Sequence, residues 1–91
     1  MYSTRNPDAS NAHSNDYEIR YYGNRAACFV QKRQFEDALR DCDRSLKFNP
    51  TYVKVMMRRS KANECLDKLE DALEDAKSAL KAAPSFVKAA T

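Results

Sequence analysis

The stretch Phe35-Glu-Asp-Ala-Leu-Arg-Asp-Cys42 returns, with few changes, as Leu69-Glu-Asp-Ala-Leu-Glu-Asp-Ala76. The two segments lie 34 residues apart, and the same displacement superposes Pro50 on Pro84. A register that holds across a whole period indicates an internal repeat, in which each unit buries its apolar face against a neighbouring unit. The sequence therefore predicts a protein built from stacked, equivalent units.

Each unit is predicted to contain two antiparallel helices. Ala, Leu, Lys, Glu and Arg dominate from Tyr17 onward, and the single Gly is little turn chemistry for a β protein. Pro50 and Pro84 interrupt the helical pattern, because proline disfavours helical backbone at the residue before it. We predict an all-α fold with helices at about 17–31, 35–48, 52–66 and 69–82, and a short fifth helix from about Ser85.

The chain is predicted to hold one domain preceded by a tail. Residues 1–16 are rich in Ser, Asn and Asp and show no helical period, so we expect a disordered polar tail there. Residues 17–91 form the domain, with repeats at about 19–52 and 53–86 and a truncated helix at 85–91. Two complete repeats are fewer than such arrays normally need, so we also expect a homodimer or an exchange of terminal helices.

Composition and charge restrict the class of function. The net charge is +3, and residues 19–61 carry eleven Lys or Arg against four acids, so an anionic partner would bind the middle of the chain. The longest apolar run, residues 26–30, is too short to insert into a membrane, and the N-terminus has no apolar secretion signal. Three Cys without CxxC spacing favour reduced thiols in a cytoplasmic protein.

The sequence does not predict an enzyme. It holds no Ser/His/Asp set, no Gly-rich phosphate loop and no metal-ligand spacing, so we expect neither a cofactor nor a metal. Nucleic-acid binding by the basic middle is an alternative that counterion release would drive. Tyr21, Tyr22 and Phe29 fall at core-like spacing and do not form a stacking platform, so we expect no nucleic-acid partner.

The 34-residue pattern resembles the tetratricopeptide repeat. That family places a large apolar residue early in the first helix, small residues at the helix crossing and a closing proline. The matching positions are Tyr22 and Met56, Ala26 and Ser60, Ala38 and Ala72, Ser45 and Ala79, and Pro50 and Pro84. The resemblance implies helix pairs stacked as a superhelix, whose first helices line a concave groove. Arg33 and Asp67 depart from the pattern, since a turn glycine is usual there.

Two basic residues resemble a peptide clamp found in part of this family. Lys54 and Arg58 lie one turn apart on one face, with no acid within reach in their own helix. The resemblance to carboxylate-clamp domains is closest in Tyr22-Gly-Asn-Arg-Ala-Ala27 and Lys54-Val-Met-Met-Arg-Arg59. It implies that Asn24, Lys54 and Arg58 bind the acidic C-terminus of cytosolic heat-shock chaperones, which ends Glu-Glu-Val-Asp. The earlier repeat of the clamp shows no pattern here, so the clamp is partial.

The other basic residues receive separate interpretations. Arg20 and Lys61 are expected at the rim of the groove. Arg25 and Arg59 have apolar neighbours at helical spacing, which favours a structural role opposite the repeated acids. The predicted structural ion pairs are Arg25–Asp41 and Arg59–Asp75.

One alternative function is a general scaffold. Its groove would bind a helix or an extended segment of another protein without reading a terminal carboxylate. Lys54 and Arg58 would then be solvated surface charges, which is the common state of such side chains.

Overall fold

The computed structural model describes residues 7–90 of the 91-residue chain, with side chains described for residues 15–88. Five helices follow one another: α1 (Pro7–Gln31), α2 (Phe35–Phe48), α3 (Val53–Cys65), α4 (Leu69–Ala82) and α5 (Pro84–Ala90). Every regular element in this part of the chain is a helix, so the predicted all-α fold is confirmed. No helix among the described residues is long and apolar enough to cross a membrane.

Helix α1 begins well before the predicted start at Tyr17. Of the tail predicted over residues 1–16, residues 1–6 lie outside the described part of the chain, and the backbone is helical from Pro7 onward. Proline is favoured at the first position of a helix, because the N–H that it lacks would have no partner there. The polar composition of this segment concealed a helix start.

The helices stack as two consecutive pairs. Helix α1 packs against α2, α3 packs against α4, and α2 joins the pairs by packing against α3. The turns inside the two pairs have the same geometry: Arg33 and Asp67 have φ values of 62° and 66°. In each turn the next residue donates its backbone N–H to the carbonyl five residues earlier, at 2.8 Å. This is the left-handed helix ending that usually contains glycine.

The core lies where the two pairs meet. Its buried members come from α1 to α4 and are Ala26, Cys42, Leu46, Val55, Met56 and Ala79. Small side chains allow the helices to approach closely. Within each helix pair, one serine hydroxyl donates a hydrogen bond to a backbone carbonyl of the other helix. Ser45 Oγ donates to the Ile19 carbonyl at 2.9 Å, and Ser60 Oγ donates to the Ala72 carbonyl at 2.8 Å. Burial raises the pKa of the Cys42 thiol to about 12.

Candidate functional site

A groove lies between α1, α3 and α5. Its volume is about 430 Å³, and its lining is mostly apolar with basic side chains among it. The lining residues are Ala27, Val30, Gln31, Lys54, Met57, Arg58, Lys61 and Phe86. A surface of this kind can hold an apolar side chain and a negatively charged group of the same ligand.

Three basic residues of α3 face this groove together. Lys54, Arg58 and Lys61 follow one another at spacings of four and three residues, so they share one helical face. Lys54 and Lys61 are exposed, whereas Arg58 is half-buried. Like charges at this spacing repel one another by a few tenths of a kcal/mol, so a bound anion would relieve the helix.

Arg58 has a partner that the sequence did not suggest. Its Nη1 donates to the backbone carbonyl of Gly23 on α1, at 3.0 Å. A guanidinium carries five N–H groups, and this bond uses one of them. The bond fixes the Arg58 side chain at the crossing of α1 and α3, which limits the entropy that the side chain would lose on binding a ligand.

Gly23 is the second feature that sequence reasoning missed. A Cβ atom built there would lie 3.0 Å from Val55 Cγ2 and 3.5 Å from Arg58 Nη1. The 3.0 Å separation from Val55 Cγ2 is tighter than an ordinary carbon–carbon contact, so the absence of a side chain favours the close approach of α1 to α3. A lone glycine inside a helical pattern, with no turn nearby, is the signal that could have identified this position.

The remaining predicted groove residues are placed differently from one another. Lys61 is one of the residues that line the groove. Asn24 is exposed and is not among the described lining residues, although it lies on α1 one turn before Ala27, which does line the groove. Arg20 lies one turn before Asn24 on α1 and is also exposed. The structure therefore brings the lysines and Arg58 together, whereas Asn24 and Arg20 are not among the residues that line the groove.

Phe86 is a further groove residue that the sequence analysis did not single out. It is 40% exposed and brings an aromatic ring from α5 to the same groove as the three basic residues of α3. By the repeat register Phe86 is equivalent to Tyr52, which packs against the core shared by the two helix pairs. The register alone would have assigned Phe86 to packing, so its place in the groove required the structure.

The two predicted ion pairs have matching geometry. Arg25 Nε donates to Asp41 Oδ2 at 2.6 Å and its Nη2 donates to Oδ1 at 2.9 Å. Arg59 repeats this arrangement with Asp75, at 2.7 and 2.8 Å. The hydrogen bond with its aspartate raises the pKa of each arginine, despite burial acting in the opposite direction. Each pair joins the first helix of a unit to its second helix, away from the groove.

Both pairs extend into larger networks. Arg44 also donates to Asp41, at 2.8 Å, and Arg59 also donates to Asp43 of the preceding unit, at 2.7 Å. Burial acts to raise the pKa of Asp41, but the hydrogen bonds from Arg25 and Arg44 outweigh it and hold that pKa below its ordinary value. The i, i+3 spacing of Arg44 and Asp41 could have been identified from the sequence.

The described residues contain no cluster typical of a metal-binding site. No group of three or more His, Cys, Asp or Glu side chains in this part of the chain is arranged to hold a metal ion. Cys28 and Cys65 are exposed thiols, and Cys42 is buried.

Comparison with known proteins agrees with this architecture. Over 47 residues, 52% of this chain, the sequence is 45% identical to the mitochondrial import receptor subunit TOM70 of Homo sapiens, of which the match covers 8%. Over the same length it is 40% identical to sperm-associated antigen 1 of Mus musculus, covering 5% of that protein. It is also 38% identical to the mitochondrial import receptor subunit TOM34 of Rattus norvegicus, covering 15%.

The chain thus spans only a small part of each of these relatives. No solved structure matches it significantly. Residues 19–52, the segment predicted as the first repeat, match the family model of the tetratricopeptide repeat. This match and the relatives support the tetratricopeptide repeat family, whose domains are protein-interaction modules, and the stacked helix pairs are consistent with its helical solenoid.

Proposed function

We propose that this protein binds the acidic C-terminus of a partner protein in the groove between α1, α3 and α5. The observation that carries the proposal is the convergence of Lys54, Arg58 and Lys61 on one mostly apolar groove. Arginine and lysine form charge-assisted hydrogen bonds with carboxylates, and these are stronger than bonds between neutral groups. A peptide whose last residue is acidic offers its side-chain carboxylate and its terminal carboxylate close together. Two adjacent carboxylates suit several cations on one helical face.

The apolar part of the groove favours an apolar residue next to those carboxylates. Val30, Met57 and Phe86 contribute carbon surface to the lining. A ligand ending in Glu-Glu-Val-Asp, as in the cytosolic heat-shock chaperones of the carboxylate-clamp resemblance, carries both the acids and an apolar side chain. We therefore propose these chaperone tails as the partners, with Asn24 contributing from the end of the groove.

Two further considerations support an adaptor role. Two relatives are named as mitochondrial import receptor subunits, and a receptor works by recognising another protein. Cytosolic chaperones as partners would place this protein in the cytoplasm, where the exposed thiols of Cys28 and Cys65 would remain reduced. The proposal assigns a co-chaperone or adaptor function and no catalysis.

The test is a titration with an acidic peptide ending Glu-Glu-Val-Asp, prepared as free acid and as C-terminal amide. We expect the free acid to bind with a Kd on the order of 100 μM, because only Asn24, Lys54 and Arg58 of the clamp have a match in this sequence. The amide should bind about tenfold more weakly, since it removes one carboxylate from the basic face. Calorimetry or fluorescence anisotropy would measure both affinities.

Variants separate the groove from general charge. Lys54→Ala removes an exposed cation of the groove and should weaken binding of the free acid about tenfold, at an unchanged melting temperature. Lys32→Ala, on the turn after α1, makes the same change outside the groove and should leave the affinity unaltered. Arg58→Ala should abolish detectable binding, but it also removes the bond to the Gly23 carbonyl, so its melting temperature must be recorded as well.

The general scaffold is the competing function. The position of Asn24 outside the described lining favours it, because a complete clamp would use that amide. Equal affinities for the acid and amide peptides would contradict the proposal in favour of the scaffold. A steep salt dependence without any peptide preference would instead indicate nucleic-acid binding.

A further inference from the structure

An apolar stripe runs along the outer face of α4. Leu69, Leu73 and Leu80 are 59%, 56% and 46% exposed, and Ala76 between them is also exposed. The spacings along the stripe are four, three and four residues, which is the a/d pattern of a helix that packs lengthwise against another helix. Three large apolar side chains in one exposed line mark an interaction surface.

The equivalent stripe in the first unit is covered. Displacement by 34 residues relates Leu73 to Leu39 and Leu80 to Leu46, and Leu46 is only 7% exposed because α3 packs on α2. In the second unit the seven-residue helix α5 packs against α4, yet Leu69, Leu73 and Leu80 remain exposed. The same sequence pattern is therefore covered by a helix in the first unit, whereas in the second unit the described residues leave its leucines exposed.

The two flanks of the α4 stripe differ. Ala72 and Ala79 border it on one side and are buried within their own chain. Glu70 and Lys77 border it on the other side, and both are exposed. Among the described side chains, neither Glu70 nor Lys77 takes part in an ion pair. A recess of about 270 Å³ on this flank is lined by Glu70, Leu73, Glu74, Lys77 and Ser78.

We propose that the stripe docks on the same stripe of a second copy, with the two α4 helices antiparallel about a twofold axis. In this register Leu69 meets Leu80 of the second copy, and Leu73 meets Ala76. The exposed flanks then face each other, which places Glu70 opposite Lys77 of the second copy and Lys77 opposite its Glu70. Each copy supplies both members of the charge pair, as a closed twofold interface requires. Charges flanking an a/d stripe set the orientation of paired helices.

This interface is separate from the proposed peptide groove. The groove is lined by residues of α1, α3 and α5, and no described residue of α4 contributes to it. The dimer would therefore carry two open grooves, and its existence does not depend on what those grooves bind.

Sedimentation equilibrium of the full chain tests the dimer. We expect reversible dimerisation with a Kd on the order of 100 μM, as suits a short interface of one helix per copy. Leu73→Gln should weaken it more than tenfold, and its helix content should be unchanged because the side chain is exposed. A sedimenting species that remains monomeric at millimolar concentration would overturn the proposal.

Charge exchange tests the antiparallel arrangement specifically. Glu70→Lys and Lys77→Glu should each weaken dimerisation about tenfold, because each creates two like-charge contacts. The double variant should regain the parent affinity. An equimolar mixture of the two single variants should also dimerise, since a Glu70→Lys copy presents only cations on this flank and a Lys77→Glu copy presents only anions.

A matched control uses the repeat register. Glu36 is the equivalent of Glu70 in the first unit and is exposed on α2. Glu36→Lys makes the same charge change away from the stripe and should leave dimerisation unaltered. If the mixture of Glu70→Lys and Lys77→Glu copies stays monomeric, or if Glu36→Lys weakens the dimer equally, the antiparallel α4 interface is wrong.

Discussion

The two repeat units share one 34-residue register but lie in different surroundings. Leu46 in the first unit is 7% exposed, and Leu80 at the equivalent position in the second is 46% exposed. The difference arises because α3 packs against α2, whereas the seven-residue helix α5 that contacts α4 leaves Leu80 exposed. In a stacked repeat, the burial of a side chain depends on the neighbouring unit as much as on its own helix.

The two ion-pair networks also differ in how far they depend on the neighbouring unit. Asp41 accepts a further hydrogen bond from Arg44 of its own helix, so the first network closes within one unit. Arg59 donates to Asp43 as well as to Asp75, so the second network reaches back to the preceding unit. Because Asp43 is 16 residues before Arg59 and Asp75 is 16 residues after it, the sequence contained the spacing of both contacts.

The largest expected effect on the free energy of unfolding comes from replacing Leu46 by alanine, in comparison with the same replacement at the equivalent Leu80. Leu46→Ala should lower the free energy of unfolding by about 3 kcal/mol, because it leaves a cavity at the junction of the two pairs. Leu80→Ala should lower it by less than about 1 kcal/mol, since the side chain already contacts solvent. Chemical denaturation at low micromolar protein concentration would measure both changes.

The destabilisation caused by Leu80→Ala should be measured at several protein concentrations. If Leu80→Ala were as destabilising as Leu46→Ala even at low concentration, α4 would be covered within the monomer and the contrast between the units would be wrong. A cost that grows with protein concentration would instead support pairing of α4 between copies, because association stabilises the folded state by mass action.

The sequence predicted most of the fold because the repeat register carries it. The bounds of α2 and α4 match the predicted ones, and the prolines separate the units as expected. The register also related Arg25 to Arg59, so one geometric argument covered both ion pairs. What it could not predict was any feature that differs between equivalent positions, such as the exposure of Leu80 or the place of Phe86 in the groove.

The candidate site was less predictable than the fold. A helical pattern shows that Lys54 and Arg58 share a face, but it does not show which backbone carbonyl lies within reach of Arg58. That bond depends on the close approach of α1 to α3 at Gly23, which is a property of the packed structure. Asn24 illustrates the same limit, because its equivalence to Arg58 in the register did not place it in the groove lining.

The next effect in size concerns the first ion-pair network. Asp41→Asn keeps the side-chain shape but removes the charge that Arg25 and Arg44 share, and should lower the free energy of unfolding by about 2 kcal/mol at pH 7. The two arginines are 40% and 49% exposed, so water can solvate them afterwards and limits the loss. Asp75→Asn should cost about 1 kcal/mol, because Arg59 retains Asp43.

The pH dependence provides a check on the same variant. The pKa of Asp41 is held below its ordinary value of 3.8, so its stabilising contribution is complete above that pH and is lost as the pH falls through the lowered pKa. The stability difference between the parent and Asp41→Asn should therefore stay constant from pH 7 to about pH 5 and shrink below about pH 4. A difference that grows on acidification would contradict the assigned role of Asp41.

The smallest expected effect concerns the two turns, which are alike in backbone and different in side chain. Arg33 and Asp67 have φ values of 62° and 66°, where a side chain costs about 1 kcal/mol and glycine costs little. Asp67→Gly should raise the free energy of unfolding by about 1 kcal/mol, because it also removes an acid from the C-terminal end of α3, where the helix dipole disfavours it.

Arg33→Gly should gain less, about 0.5 kcal/mol or under, for two reasons. The Arg33 guanidinium lies 5.5 Å from the centre of the Phe35 ring, a cation–π contact that the substitution removes. A cation at the end of α1 is also favourable to the helix dipole, so its loss offsets part of the backbone gain. Asp67→Asn is the discriminating control, because it removes the charge but keeps a side chain at positive φ. If Asp67→Asn recovered the whole gain of the glycine variant, the dipole and not the backbone would explain the difference between the two turns.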